Sequence, residues 1–276
     1  MKQQRHEVAD GERFAFGANW AQFLAVLNDE RINMAETSLK RMLQVDDLRG
    51  KRFIDVGSGS GLFSLAARRL GARVHSFDYD SQSVACTAEL KRRYFQDDSE
   101  WLVEEGSILD KEYIDRLSEF DVVYSWGVLH HTGDMWQALN NVSQLAVGGK
   151  LFISIYNDQG RRSRLWLRVK RLYNAMPSPF RRLVLYPSWM VLWGPITLVD
   201  ILRAKPFHTW QNYAEQGARS MHPWHDLVDW VGGLPFEVAR PEEIFDFYRE
   251  KGFQLDRLAT CGGGLGCNQF VFSHRA

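Results

Sequence analysis

The sequence predicts an α/β chain centred on a seven-stranded, mostly parallel sheet, and three observations predict it. Short apolar runs alternate with helical patterns between residues 51 and 156, which implies parallel strands joined by covering helices. The first run ends in a bend with glycine at alternate places, Gly57, Gly59 and Gly61, and a helical pattern follows at once. Two further apolar runs close the chain after a long stretch with no strand pattern.

The elements are expected in this order. Residues 13–48 read as two helices, with Phe14, Phe16 and Trp20, then Phe23, Leu24 and Leu27, then Ile32 to Leu43 at helical spacing. Strands are expected over Lys51–Val56, Arg73–Phe77, Trp101–Glu104, Asp121–Ser125 and Leu151–Tyr156. Helices are expected over Gly61–Leu70, Ser81–Tyr94, Lys111–Leu117 and Met135–Leu145. From Asn157 to Lys251 regular strand pattern is absent, with a last helix at Ile244–Lys251; strands over Phe253–Thr260 and Gln269–Ser273 then finish the sheet. The domain reading is a helical cap (1–50), a core (51–156), a helical insertion (157–251) and a closing hairpin (252–276).

Composition narrows the function. The chain has 276 residues, 45% of them hydrophobic and 13% aromatic, so it can bury a core that offsets the entropy of ordering. Lysine plus arginine number 34 and so do the acidic residues; without a global positive field, nucleic acid is not an expected partner. Cys86, Cys261 and Cys267 form no C-x-x-C pair, which argues against a disulfide framework or zinc ribbon and for a reducing compartment. The polar N-terminus lacks the apolar stretch of a secretory signal, and a cytoplasmic location is expected.

The bend FIDVGSGSG departs from the dinucleotide fingerprint, which needs its third glycine where Leu62 stands. A helix N-terminus here can meet a pyrophosphate or an amino-acid carboxylate, and Asp55 suits a cationic amine. Asp78 ends the second strand, where one carboxylate can accept both hydroxyls of a ribose. A plain tight turn would explain the glycines alone.

DVGSGSG, FDYD, EEGSILD and FDVVYSWGVLHHTGD, followed by a GGKLFIS strand, together resemble the first to fifth motifs of the class I S-adenosylmethionine-dependent methyltransferases. The closing CGGGLGCNQFVF resembles that fold's reversed last strands, and the resemblance is nearest to the ubiquinone-biosynthesis-type small-molecule O-methyltransferases. It implies a Rossmann-like sheet and S-adenosyl-L-methionine as cofactor, leaving as S-adenosyl-L-homocysteine. By the same resemblance Asp55, Gly57, Ser58, Gly59 and Gly61 surround the methionine part of the cofactor. Asp78 sits at the ribose, Ser107 and Ile108 at the adenine, and Ser125 and Trp126 near the methyl, with Tyr79 a further cofactor-binding candidate. Many members carry Asp where this chain has Ser107, and Asp110 stands too far along to replace it.

The acceptor is expected to be a small, apolar or aromatic molecule methylated at oxygen. SWGV after strand four is not the Asn/Asp-Pro-Pro-aromatic run of nucleobase amino-group enzymes, and no Pro-Cys nucleophile resembles the cytosine carbon-5 enzymes. His130 and His131 follow strand four, and a neutral imidazole can take a hydroxyl proton; His130 is the first choice. One structural and one solvent-facing histidine is the alternative reading. Trp20, Tyr79 and Trp126 offer ring faces to a sulfonium, and Trp20, Tyr156 and Asn157 are the substrate-side candidates. Methylation at nitrogen or carbon, and a noncatalytic adenosyl-cofactor-binding module, stay open, whereas Leu62 and the acidic start of the bend disfavour a nicotinamide dehydrogenase.

The insertion carries eight basic residues between Gly160 and Val199 and no acidic one. On a helix Arg161, Arg164, Arg168 and Arg171 form one stripe and Leu165, Val169, Leu172 and Met176 a neighbouring apolar one. Leu183–Val199 is uncharged but contains Pro187 and Pro195, which speak against a membrane-spanning helix. The insertion is read as a substrate lid making peripheral contact with an anionic membrane through residues 161–199; solvated charge over ordinary core packing is the plainer alternative. RNA binding is a third reading and predicts strongly salt-dependent affinity. His222, Pro223, Trp224, His225 and Asp226 imitate a metal site but lack a third well-placed ligand, so no metal is expected.

Overall fold

The computed structural model describes residues 7–8, 10–14, 16–17, 20, 24–25, 27–213 and 223–274. It divides into two compact units: Phe16–Gly160 with Pro235–Ala276, and Arg161–Leu234 with Lys2–Ala15.

The first unit is the sheet. Its strands are β1 (Arg52–Val56), β2 (Arg73–Asp78), β3 (Trp101–Glu105), β4 (Val122–Trp126), β5 (Lys150–Tyr156), β6 (Phe253–Ala259) and β7 (Cys267–His274). They lie in the order β3-β2-β1-β4-β5-β7-β6. Strands β1 to β5 run parallel, while β7 pairs antiparallel with both β5 and β6. The central strands β1, β4 and β5 are near-continuous apolar runs because both their faces are covered: Phe53, Ile54 and Val56 of β1 are wholly buried. This is a Rossmann-like sheet, and its strand order reverses between β1 and β4, so a crevice is expected outside their carboxyl ends.

Connecting helices follow the expected order: α1 (Asp29–Leu43), α2 (Leu62–Arg69), α3 (Ser81–Tyr94), α4 (Lys111–Arg116) and α5 (Met135–Leu145). Each starts where its sequence supplies a cap or a bend. Asn28 accepts from the Arg31 N–H, Asp80 from the Gln82 N–H, and Asp110 from the Tyr113 N–H. Asp110 is thereby committed to α4.

The insertion's boundary differs from the expectation of residue 251. The helix Pro241–Glu250 belongs to the sheet unit because Ile244 and Tyr248 are buried in its main core, and the Tyr248 hydroxyl donates to the Leu139 carbonyl at 3.2 Å. The N-terminal cap also divides differently, since Phe14 lies in the second unit and its N–H donates to the Leu234 carbonyl at 3.0 Å.

The second unit is helical: α6 (Arg161–Ala175), α7 (Arg182–Leu202), α8 (His208–Gln211) and α9 (Pro223–Gly232), with α10 (Pro241–Glu250) following in the sheet unit. One expectation is corrected here, after a detail of α6 on which the sequence was silent. The buried residues of α6 are Ser163, Trp166, Lys170, Tyr173 and Asn174, while of the apolar stripe Val169 and Met176 pack against this core and Leu165 and Leu172 point outward at 59% and 51% exposure. Tertiary packing selected this face: the Lys170 ammonium donates to the Trp230 carbonyl and lies 4.7 Å from that indole's centre, and burial lowers its pKa to about 7. The prolines do not interrupt the next helix. Pro187 and Pro195 both lie inside α7, which runs for 21 residues and is, among the described residues, long and apolar enough to cross a membrane by length and composition.

Candidate functional site

Two consecutive strands, β1 and β2, present their carboxyl ends to the glycine bend. Gly57, Gly59 and Gly61 all have positive φ, 79°, 55° and 80°. At Gly57 a Cβ would meet the Val128 side chain at 2.4 Å, and at Gly61 it would meet the Cα of Thr87 at 2.8 Å. Only glycine lets β1 turn beneath the loop after β4 and lets α2 start against α3. The Gly57 and Ser58 N–H groups donate to the Phe77 carbonyl at 2.9 and 3.1 Å, and the Ser58 hydroxyl pairs with that of Thr87 at 2.9 Å. Ser58 therefore anchors the bend to α3.

Asp78 closes the other side. Its carboxylate accepts the Gly59 N–H at 2.9 Å and the Asp80 N–H at 2.8 Å, so it lies across the bend. Trp20 lies against the same turn, its indole nitrogen 3.1 Å from where a Gly59 Cβ would be. The Gly17 N–H donates to the Asp80 carboxylate at 2.9 Å, and the Phe16 ring centre is 4.9 Å from that of His131. The described residues of 16–20 thus touch the ends of both β2 and β4, and Trp20 belongs with the bend.

Asp55 sits beneath the bend, 2% exposed, accepting the Ser64 hydroxyl at 2.5 Å. Ser64 in turn accepts from Ser76, and Ser76 from the Trp101 indole N–H at 2.9 Å, a buried polar chain running outward through the sheet. Loss of hydration raises the Asp55 pKa to about 7; the Ser64 hydrogen bond opposes this and the Asp78 charge adds to it.

This shift has a measurable sign. The folded carboxyl holds its proton at a pH where the unfolded one has lost it, so stability falls as pH rises from about 4 to about 7. Asp55→Asn is expected to remove that slope and to make the protein more stable at pH 8 by on the order of a few kcal/mol. Urea unfolding at several pH values checks it, and an unchanged slope in the variant would assign the dependence elsewhere.

At the end of β4 the Ser125 hydroxyl donates to the Val56 carbonyl at 3.0 Å, tying β4 to β1. Half-buried Trp126 ends β4 and half-buried Tyr79 follows β2. His130 and His131 form a short 3₁₀ turn, Leu129–His131. His130 is completely buried, its ring centre 3.9 Å from that of Tyr156. The His131 Nδ1 lies 2.6 Å from the Pro235 carbonyl. A carbonyl only accepts, so Nδ1 carries the proton and Nε2 is the basic nitrogen of the neutral ring. Tyr156 and Phe236, 5.4 Å apart, complete an aromatic cluster with the two histidines at the ends of β4 and β5.

Three further sequence candidates have local contacts of their own. Ile108 is buried in the main core and its carbonyl accepts from Asn141. The Ser107 hydroxyl accepts the Leu109 N–H at 3.2 Å, a local turn contact. Asn157 holds the β6–β7 turn: its amide donates to the Gly264 carbonyl at 3.3 Å and its oxygen accepts from Asn268 at 3.0 Å. Tyr156, its neighbour, remains with the histidines.

Glu237 was not legible beforehand. Its N–H donates to the His130 carbonyl at 3.0 Å, and its carboxylate accepts the Gly133 and Met135 N–H groups at 3.1 Å, at the N-terminus of α5. Burial pushes its pKa up, against the pull of those two N–H groups. It lies about a hundred residues from the turn it fixes, and no spacing signals such a contact; Ser64, nine residues after Asp55 and in the first turn of the following helix, could have been found. Among the described residues no group of three His, Cys, Asp or Glu side chains could hold a metal ion; His222 and the side chain of His225 lie outside them.

A family model described as a methyltransferase domain matches residues 28–230, most of the chain. The chain belongs to this methyltransferase family. Its methyl donor is S-adenosylmethionine, and the positive-φ glycine bend beside a strand-end carboxylate fits that group: the missing Cβ atoms leave the backbone bare, and Asp78 offers the acceptor a ribose needs. The methyltransferase is 29% identical over 171 residues to the ubiquinone biosynthesis O-methyltransferase of Coxiella burnetii, covering 59% of this chain and 70% of that one. Its fold is similar to that of magnesium protoporphyrin IX methyltransferase from Synechocystis, solved with SAH bound (TM-score 0.52, 12% identity, 88% and 83% of the two chains). It is also similar to PKMT2 from Rickettsia typhi in complex with AdoHcy (TM-score 0.55, 12% identity, 88% and 53%).

Proposed function

We propose that this methyltransferase methylates an oxygen of a small apolar or aromatic acceptor, with His131 as the general base. The observation that carries the reading is the 2.6 Å contact of His131 Nδ1 with the Pro235 carbonyl, which leaves Nε2 as the proton acceptor inside an aromatic cluster. When bound, S-adenosylmethionine supplies a methyl on a positively charged sulfur that departs as a neutral thioether.

Asp78 holds the ribose, and the glycine bend takes the amino-acid end. Trp20, beside Gly59, offers its ring face to positive charge. The acceptor's ring lies against the aromatic groups of Tyr156 and Phe236. His131 Nε2 would take the hydroxyl proton as the acceptor oxygen becomes the nucleophile, and the bound donor would supply the methyl and keep the sulfur's electron pair. Alignment of the two reactants supplies most of the acceleration, roughly 7–11 kcal/mol in well-oriented reactions. The name of the Coxiella burnetii relative, an O-methyltransferase, supports oxygen as the accepting atom.

The test is product formation with matched acceptors. Catechol-type phenols are expected to yield S-adenosylhomocysteine at least about tenfold faster than anilines of the same shape, because only the hydroxyl gains from a base of this strength. Equal or greater turnover on the amines would reject oxygen as the accepting atom, and no turnover on any of a broad metabolite pool would favour a binding module.

A further inference from the structure

The second unit shows a surface that methyl transfer does not use. Helix α7 turns its apolar side outward: Leu183, Met190, Val191, Leu198, Ile201 and Leu202 are each more than half exposed, and Leu202 reaches 78%. Leu183, Met190, Val191 and Leu198 stand one residue or two helical turns apart, and Ile201 and Leu202 three to four residues further on, so all six fall on one side of the helix over about 30 Å. Other positions of the helix are packed already, with Val184, Leu185 and Trp193 in the unit's own core and the buried Asp200 accepting from the N–H and hydroxyl of Thr209.

Positive charge stands at both ends of the stripe: Arg182 begins α7 and Arg203 and Lys205 follow it, all exposed. A second exposed face in the same unit, on α6, carries Arg161, Arg164, Arg168 and Arg171 beside Leu165 and Leu172. No acidic residue occurs between Gly160 and Val199. An apolar face bordered by arginine has one complementary occupant: a layer that is apolar within and anionic at its surface. Two copies of the chain would bring like charges together.

We propose that α7 lies flat in the surface of an anionic bilayer, its outer stripe in the acyl boundary and its flanking arginines on lipid phosphates. This does not rest on the acceptor assignment. The helix lies in the plane and does not span, for two reasons. Spanning would strip Val184, Leu185 and Trp193 from their core. Pro187 and Pro195, both exposed, also have no N–H to offer the carbonyls of Leu183 and Val191, which at headgroup depth meet water but in hydrocarbon would stay unsatisfied. The cytoplasmic leaflet, with its anionic lipids, is the surface that matches the expected location.

Flotation of the full chain with phosphatidylcholine vesicles, with and without about 30% phosphatidylglycerol, tests this. Binding is expected with the anionic vesicles only, weakening at least about tenfold between low and high salt. Met190→Glu with Leu198→Glu, and separately Arg161, Arg164, Arg168 and Arg171 each →Gln, should each lower partition at least about tenfold while circular dichroism and S-adenosylmethionine affinity stay unchanged. Four results would overturn the proposal: no flotation at low salt, equal binding to neutral vesicles, membrane association that survives an alkaline carbonate wash, or a dimer dissolved by Met190→Glu without lipid binding. Salt-dependent RNA binding in place of vesicle binding would overturn it too.

Discussion

Asp78→Ala is expected to weaken S-adenosylmethionine binding by about 100-fold, the larger of the affinity effects predicted for this protein. A hydrogen bond to a charged group contributes about 1.5–3 kcal/mol, and one carboxylate at the end of β2 can accept two ribose hydroxyls. The same carboxylate already accepts the Gly59 and Asp80 N–H groups, so alanine also loosens the bend. Calorimetry with two ligands separates these contributions. The wild type should prefer S-adenosylhomocysteine strongly over its 2′,3′-dideoxy analogue, and Asp78→Ala should bind both equally weakly, because the hydroxyls have lost their partner. Should the variant still discriminate between them, the ribose is held elsewhere.

His131→Ala should lower turnover by about 100- to 1000-fold with S-adenosylmethionine affinity retained, the usual range for loss of a positioned base. Turnover of the wild type should fall on the acid side of its pH profile as the imidazole gains a proton, and the variant should lose that limb. His130→Ala provides the contrast. Its ring is wholly buried against Tyr156, so alanine leaves a cavity; the expected result is a lower melting temperature with the acid limb intact. If His130→Ala removes the limb and His131→Ala does not, the roles are exchanged. Sequence alone placed His130 first because the two side chains are equivalent as text; the Pro235 carbonyl, contributed from beyond the insertion, distinguishes them.

The central strands were legible because β1, β4 and β5, buried on both faces, are nearly uninterrupted apolar runs, and the helices between the strands carry their own caps. Ser81–Tyr94 and Met135–Leu145 start at Asp80 and Asp134, whose side chains take the first exposed N–H groups. The glycine bend was legible because three positive φ angles in five positions carry a steric cost that glycine, without a Cβ, avoids. Less could be read where the partner is distant in sequence. In α6 the arginine and leucine stripes were visible, but the buried side depends on a Lys170 ammonium reaching the Trp230 carbonyl sixty residues away. Pro187 and Pro195 read as interruptions because an interior proline removes a helix hydrogen bond, yet α7 continues through both.

What the sequence determined by itself was local: strand and helix alternation, the caps, the glycine bend and the carboxylate of Asp78 at the end of β2. These follow from backbone sterics and from hydrogen bonds a few residues long. Tertiary structure decided that the Pro235 carbonyl fixes the His131 tautomer, that Ile108 packs in the core and Asn157 holds the hairpin, and that α7 shows apolar residues outward. Each of those outcomes depends on a group brought close only by folding, and periodicity along a chain cannot encode which distant atom will arrive.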